Sequence, residues 1–306
     1  MSATTLPSSG SAQKGIGSRS DALLGFILVL PILLTMVGLV FYPLLATTWD
    51  SLHRVDPLQQ GTPFVGLANY ARILSDAEVG RSWYNTFIYV FLAVLLETVF
   101  GVLAAALINQ VKYGRQWVLA AVVLPWALPA VVSGVIWGWI YAPGPGLLNG
   151  ALTALGLNFE DYVWFNNSTL AMLLITLVHV WRMMPLTIVI VLAAMQSIPA
   201  ELYEAARMDG AGAWTCFWRV TIPYIKSTLM TTTIMITLQF FNIVTLIYVM
   251  TAGGPGQKSM TLPLLAYQEA FQFSKLGYGT AIATVLLLIG GVFAVFYIRA
   301  LKPEVD

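Results

Sequence analysis

A chain of 306 residues that is 58% hydrophobic and 9% charged, with a mean hydropathy of +0.79, is not a water-soluble globule. Its formal net charge of +1 supplies no basic field for nucleic acid, so no nucleic-acid partner is expected. A single cysteine, Cys216, excludes an internal disulfide and a cysteine-rich metal site, and His53 and His179 offer no H-E-x-x-H spacing.

Residues 1–22 are rich in Ser, Gly, Ala and Thr and read as a disordered tail. Within them, "GSAQKGIGS" sets Gly10 and Gly15 at phosphate-loop spacing, but Ile16 stands where that loop needs Lys. No nucleotide site is therefore expected on this chain. Apolar runs long enough to cross a hydrocarbon core follow at about 23–47, 85–109, 117–141, 168–195, 227–250 and 278–298. They predict an all-α polytopic membrane protein with six transmembrane helices. The first run is about 25 residues long, too long for a signal-peptide core, and reads as an uncleaved span.

Lys and Arg set the expected orientation. With the N-terminus inside, the inner segments hold Lys14, Arg19, Lys112, Arg115, Arg207, Arg219, Lys226, Arg299 and Lys302. The longer outer segments hold Arg54, Arg72, Arg81, Lys258 and Lys275. Both termini, including the short tail 302–306, are then cytoplasmic. Trp137, Trp139 and Tyr141 fall at the outer boundary, where amphipathic rings are favoured.

Ionisable groups within spans are costly and face a bundle interior or a cavity. Glu97 lies in the second span, and His179 and Arg182 lie in the fourth. The plain expectation is a Glu97–Arg182 ion pair joining those spans, with His179 a packed hydrogen-bonding group. The sharper expectation is a solute site. Gly134 and Gly138 form G-x-x-x-G in the third span and permit close packing, within the chain rather than between subunits.

Between the fourth and fifth spans lies a polar elbow, residues 197–226, with Glu201, Glu204, Arg207, Asp209, Arg219 and Lys226. Pro199 suits the first turn of a helix, and Glu201 and Glu204 suit its positive end. The helix should stop at Gly210, and a second short helix should run from Ala213 to Arg219. Ala205 and Ala206 leave part of its surface low, so that a partner can approach closely beside Glu204 and Asp209. A surface helix on lipid would instead be rich in Lys and Arg.

The elbow sequence "EAARMDGAGAWTCFWRVTIP", from Glu204 to Pro223, resembles the EAA loop of binding-protein-dependent ABC importer permeases. The match rests on Glu204, Ala205, Ala206, Asp209, Gly210, Ala211, Phe217, Val220, Ile222 and Pro223; Ser227 departs where many members carry a second proline. "GLANYARIL" from Gly66, "LPWALPAVVSGVIWGW" from Leu124 and the segment from Thr251 to Ala283 are similar to the carbohydrate-type, maltose/trehalose-like subfamily.

The resemblance covers about residues 23–301 and implies a type I importer permease fold in a bacterial inner membrane. Its elbow would be a coupling helix. The implied partners are a second homologous permease, two ATPase subunits that bind ATP and Mg, and an extracytoplasmic binding protein that delivers a sugar.

The resemblance also implies solute contacts at Trp126 and Ala130, at His179, Arg182 and Met183, and at Ile236, Phe240 and Ile243. Gln239 and Asn242 are polar neighbours of the last set. Trp126 and Phe240 would offer aromatic faces to a sugar, and the polar groups would orient its hydroxyls. Arg182 would also suit an anionic group on a substituted sugar. The alternative is an ion-coupled secondary transporter. It would want several intramembrane carboxylates and an internal repeat, whereas only Glu97 lies well within a span.

Overall fold

The computed structural model describes residues 19–300; the expected tail as far as residue 18, and residues 301–306, lie outside the described residues. Apart from an isolated bridge between His53 and Phe64, the regular elements among the described residues are helical. The chain divides into two compact units after Trp49. The first unit holds α1 (Arg19–Met36), a π turn at Val37–Phe41 and most of α2 (Tyr42–Asp50). Residues Leu23–Asp50 make one apolar span of 28 residues. Pro31 removes a donor from that helix, and the Thr35 hydroxyl donates to the Pro31 carbonyl at 2.8 Å.

The second unit begins with α3 (Ala68–Ser75) and the long α4 (Ala77–Asn109). Asp76 caps α4 by accepting from the Glu78 N–H at 2.9 Å. Next come α5 (Arg115–Ala127), α6 (Ala130–Ile140), α7 (Leu147–Ala154) and α8 (Ser168–Gln196). Asn167 caps α8 through the N–H groups of Thr169 and Leu170. The elbow contains α9 (Ala200–Met208), α10 (Ala213–Cys216), a π turn at Phe217–Thr221, and α11 (Ile222–Tyr224). The chain continues through α12 (Lys226–Phe241), α13 (Thr245–Thr251), α14 (Leu262–Tyr267) and α15 (Leu276–Ala300).

Two expected spans are not continuous. The 117–141 run bends by 94° between α5 and α6, and the 227–250 run bends by 47° between α12 and α13. At the first break Leu128 is extended, with ψ 133°, because Pro129 disfavours helical backbone in the residue before it and has no N–H to continue the ladder. At the second, the Asn242 side chain donates to the Leu238 carbonyl at 2.8 Å, which competes with the backbone ladder. Four helices are long and apolar enough to cross a membrane, or up to six if each bent pair is one span.

The core is built on α4 against α8. Along α4, Thr86, Tyr89, Ala93, Glu97, Gly101 and Ala105 form a buried stripe at helical spacing. Gly101 lets the helices close together: a Cβ there would lie 2.7 Å from the Thr187 Cγ2. The second halves of the two bent runs, α6 and α13, also pack together, and a Cβ at Gly134 would lie 2.9 Å from the Val249 Cγ1. Gly134 therefore packs within the chain, as expected, whereas Gly138 has open space beside it.

Candidate functional site

The elbow is anchored from below. Tyr203, Phe217, Val220 and Ile222 pack on a buried cluster that includes Ile225 and, at the C-terminal ends of α4 and α8, Val102, Ile108, Val191 and Met195. The Tyr203 and Thr221 hydroxyls are 2.9 Å apart and tie α9 to the following π turn. Pro199 is the residue before α9 rather than part of its first turn.

Gly210 ends α9 in the left-handed region, with φ 81°. Its N–H donates to the Arg207 carbonyl at 3.0 Å, and the Ala211 N–H donates to the Ala206 carbonyl at 2.9 Å. That pair of bonds is the Schellman closure of a helix C-terminus. Glu204, Ala205, Asp209 and Gly210 are exposed, and Ala206 is half-buried beside Tyr203. Leu202 and Met208 add apolar surface, Met208 being 88% exposed. The result is a capped knob whose exposed surface intermixes acidic and apolar side chains.

The candidate solute residues fall into two sets. His179, Met183, Ile236 and Phe240 are 3%, 4%, 1% and 1% exposed and belong to the core. The Tyr89 hydroxyl hydrogen-bonds the His179 Nδ1, and Phe240 meets both rings edge-on. His179 is thus a packed hydrogen-bonding group, with Tyr89 as the partner that sequence reasoning missed. The spacing of Tyr89, Ala93 and Glu97 at i, i+4 and i+8 along α4 is the signal that would have found it. Removing the hydroxyl in Tyr89→Phe leaves the His179 nitrogen buried without its partner. A stability loss of about 1–3 kcal/mol is expected, with solute affinity unchanged. Thermal unfolding in detergent and uptake kinetics check the two parts.

The second set is Trp126, Gln239 and Asn242, which are exposed, and Arg182, Ala130 and Ile243, which are half-exposed. Trp126 and Ala130 flank the first break, and Gln239 and Asn242 flank the second. Polar side chains exposed on otherwise apolar helices are costly in hydrocarbon and mark a water-filled path or a subunit contact.

The expected Glu97–Arg182 ion pair is not formed. Glu97 is fully buried and accepts from the Thr187 hydroxyl at 2.6 Å. The Arg182 Nε donates to the Leu128 carbonyl at 3.1 Å, and a guanidinium nitrogen lies 3.2 Å from the Met183 sulfur. The reason is angular. Five residues separate Arg182 from Thr187, which places them about 140° apart around a helix. One faces α5 while the other faces α4. Among the described residues the ion pair within 4.0 Å is Lys275–Glu269, in the segment preceding α15.

A capped polar knob between two apolar spans, together with two broken spans bearing polar side chains at the breaks, defines a polytopic transport permease. The chain belongs to the family described as "Binding-protein-dependent transport system inner membrane component", whose profile matches residues 97–306. It is thus an ABC permease subunit, a transport component rather than an enzyme.

It is 34% identical to the trehalose/maltose transport system permease protein MalF of Thermococcus litoralis, over 91% of this chain and 94% of that protein. It is 30% identical to the sulfoquinovosyl glycerol transport system permease protein SmoG of Agrobacterium fabrum, over 93% of this chain and 92% of that one. The fold matches a chain of a bacterial ABC transporter involved in import of the acidic polysaccharide alginate. The TM-score is 0.80 at 19% identity, covering 94% and 98% of the two chains.

Proposed function

We propose that this permease moves a sugar or glycoside, delivered by an extracytoplasmic binding protein, inward through a path lined by Trp126, Gln239 and Asn242, with Arg182 bracing the first break. The observation that carries the reading is the position of these residues. Each is exposed or half-exposed, and each flanks or touches one of the two breaks. Discontinuous helices free backbone groups at membrane depth, where a polar solute can be held. Trp126 supplies an aromatic face, and the two amides supply paired donors and acceptors for hydroxyls.

ATP and Mg are held by separate ATPase subunits, on which the elbow docks through Glu204, Ala205, Ala206, Asp209 and Gly210. A second permease chain completes the path, and both termini are cytoplasmic. Curated relatives named for trehalose/maltose, diacetylchitobiose and sn-glycerol-3-phosphate transport support a sugar-like or polyol-derived solute.

The test is uptake into vesicles that hold the purified complex, with its binding protein and a panel of glycosides. Uptake should require ATP and survive an uncoupler; the reverse pattern would return the protein to the ion-coupled class. Gln239→Leu and Asn242→Leu are each expected to raise the KM for the preferred glycoside about tenfold, the effect of one lost hydrogen bond to a bound polar group. Unchanged KM in both variants would move the path elsewhere.

A further inference from the structure

We propose that Arg182 is a strut between the span that bears the elbow and the hinge of the first broken span, so that motion of the elbow reaches the pathway through this side chain. The proposal rests on the permease reading above and deepens it. α8 runs unbroken from Ser168 to Gln196 and leads through Ser197, Ile198 and Pro199 directly into α9. A displacement of the elbow is therefore passed along one continuous helix, which carries Pro185 between the elbow and Arg182. Arg182 sits in that helix, and its Nε donates to the Leu128 carbonyl at 3.1 Å.

Leu128 is the turning point. Its backbone is extended, and Pro129 follows it at a bend of 94°. The bend takes the Leu128 carbonyl out of the helical ladder, and a guanidinium from the neighbouring helix supplies a donor in place of the lost one. A charged donor makes a stronger hydrogen bond to such a carbonyl than a neutral one does. Among the described residues no carboxylate lies within 4.0 Å of Arg182: Glu97 is engaged by Thr187, and the guanidinium also meets the Met183 sulfur, a weak acceptor.

Beyond the hinge the connection continues, because α6 packs on α13 with Gly134 against Val249 and Leu246. A shift of the Leu128 hinge thus moves the second halves of both broken spans together. The physical content is one element with two arrangements that both the elbow and the pathway bias.

The experiment uses the purified complex with its ATPase and binding protein in lipid vesicles, comparing wild type with Arg182→Met and Arg182→Lys. The Met variant should assemble and keep its basal ATP hydrolysis. It should lose stimulation by the loaded binding protein, and its maximal uptake rate should fall about tenfold, as for loss of one charged hydrogen bond. Its KM should stay within about twofold, since solute binding itself is not touched. Lys, whose ammonium can still donate to a carbonyl, should recover part of the rate and of the stimulation.

A raised KM with unchanged maximal rate would overturn the proposal and make Arg182 a solute contact. A loss confined to acidic glycosides would overturn it in favour of an anion site. Full stimulation and rate in the Met variant would overturn it outright. If the Met variant does not assemble, Arg182→Gln is read by the same criteria. A wild-type complex that moves no glycoside with ATP would instead bring down the permease reading, and this proposal with it.

Discussion

Gly210→Val is expected to abolish ATP-driven uptake while leaving the chain in the membrane. Gly210 ends α9 at φ 81°, where its N–H and that of Ala211 close the helix on Arg207 and Ala206. A Cβ there would meet no atom within 4 Å, so crowding at that atom is not the issue. The cost is conformational: left-handed backbone costs an ordinary L-residue roughly 1–2 kcal/mol, and a β-branched one more. The closure should open, and the knob should lose its fixed outline.

Glu204 and Asp209, both exposed, are then no longer held in one geometry for the proposed ATPase contact. Gly210→Asn is the control, because Asn tolerates this conformation and should keep most of the activity. Glu204→Lys tests the other property of the knob, its charge, and should detach the ATPase with the helix intact. Co-purification of the ATPase and vesicle uptake report both effects. Wild-type uptake in Gly210→Val and Glu204→Lys together would remove the coupling role of the elbow.

The second large effect lies in the core. Gly101→Ala should sharply lower the amount of folded protein, because its Cβ would lie 2.7 Å from the Thr187 Cγ2 on the facing helix. Forcing such an overpacked contact costs typically about 1–3 kcal/mol. Thr187 cannot simply turn away, since its hydroxyl donates to the buried Glu97 carboxyl at 2.6 Å. The pair predicts a specific rescue. Thr187→Ser removes the clashing methyl and keeps the hydroxyl, so Gly101→Ala with Thr187→Ser should recover much of the folded yield.

Thr187→Val makes the opposite change and should not rescue, because it keeps a methyl and strands the Glu97 oxygen, at about 1–3 kcal/mol. Detergent-solubilised yield and thermal unfolding compare Gly101→Ala and the two double variants with the wild type. Equal behaviour of the Ser and Val double variants would show that the Glu97–Thr187 bond contributes nothing.

The elbow was legible because its signals are local. Acids near a helix start, a glycine at its end and alanines along one side act within a few residues of themselves. Two details differed: Pro199 lies just before α9, and the helix expected over Ala213–Arg219 ends at Cys216 and passes into the π turn at Phe217–Thr221. The spans were legible because hydropathy needs only length, but the bends inside 117–141 and 227–250 escaped it. A proline such as Pro125 or Pro185 sits inside a helix here, whereas Pro129 ends one. The difference lies in what packs beside the chain, which no single span contains.

The buried polar groups show the same limit. Charge alone paired Glu97 with Arg182, and the rotation of α8 placed them on different faces. His179 was chemically suited to solute, but Tyr89 and Phe240 enclose it.

By itself, then, the sequence determined the membrane class, the polar elbow and the family, because composition and a contiguous motif carry that information along the chain. The tertiary structure alone decided which intramembrane polar groups meet one another and which stay exposed at the breaks. Those outcomes depend on the angle each helix presents to neighbours distant in sequence, and one chain position does not encode that angle.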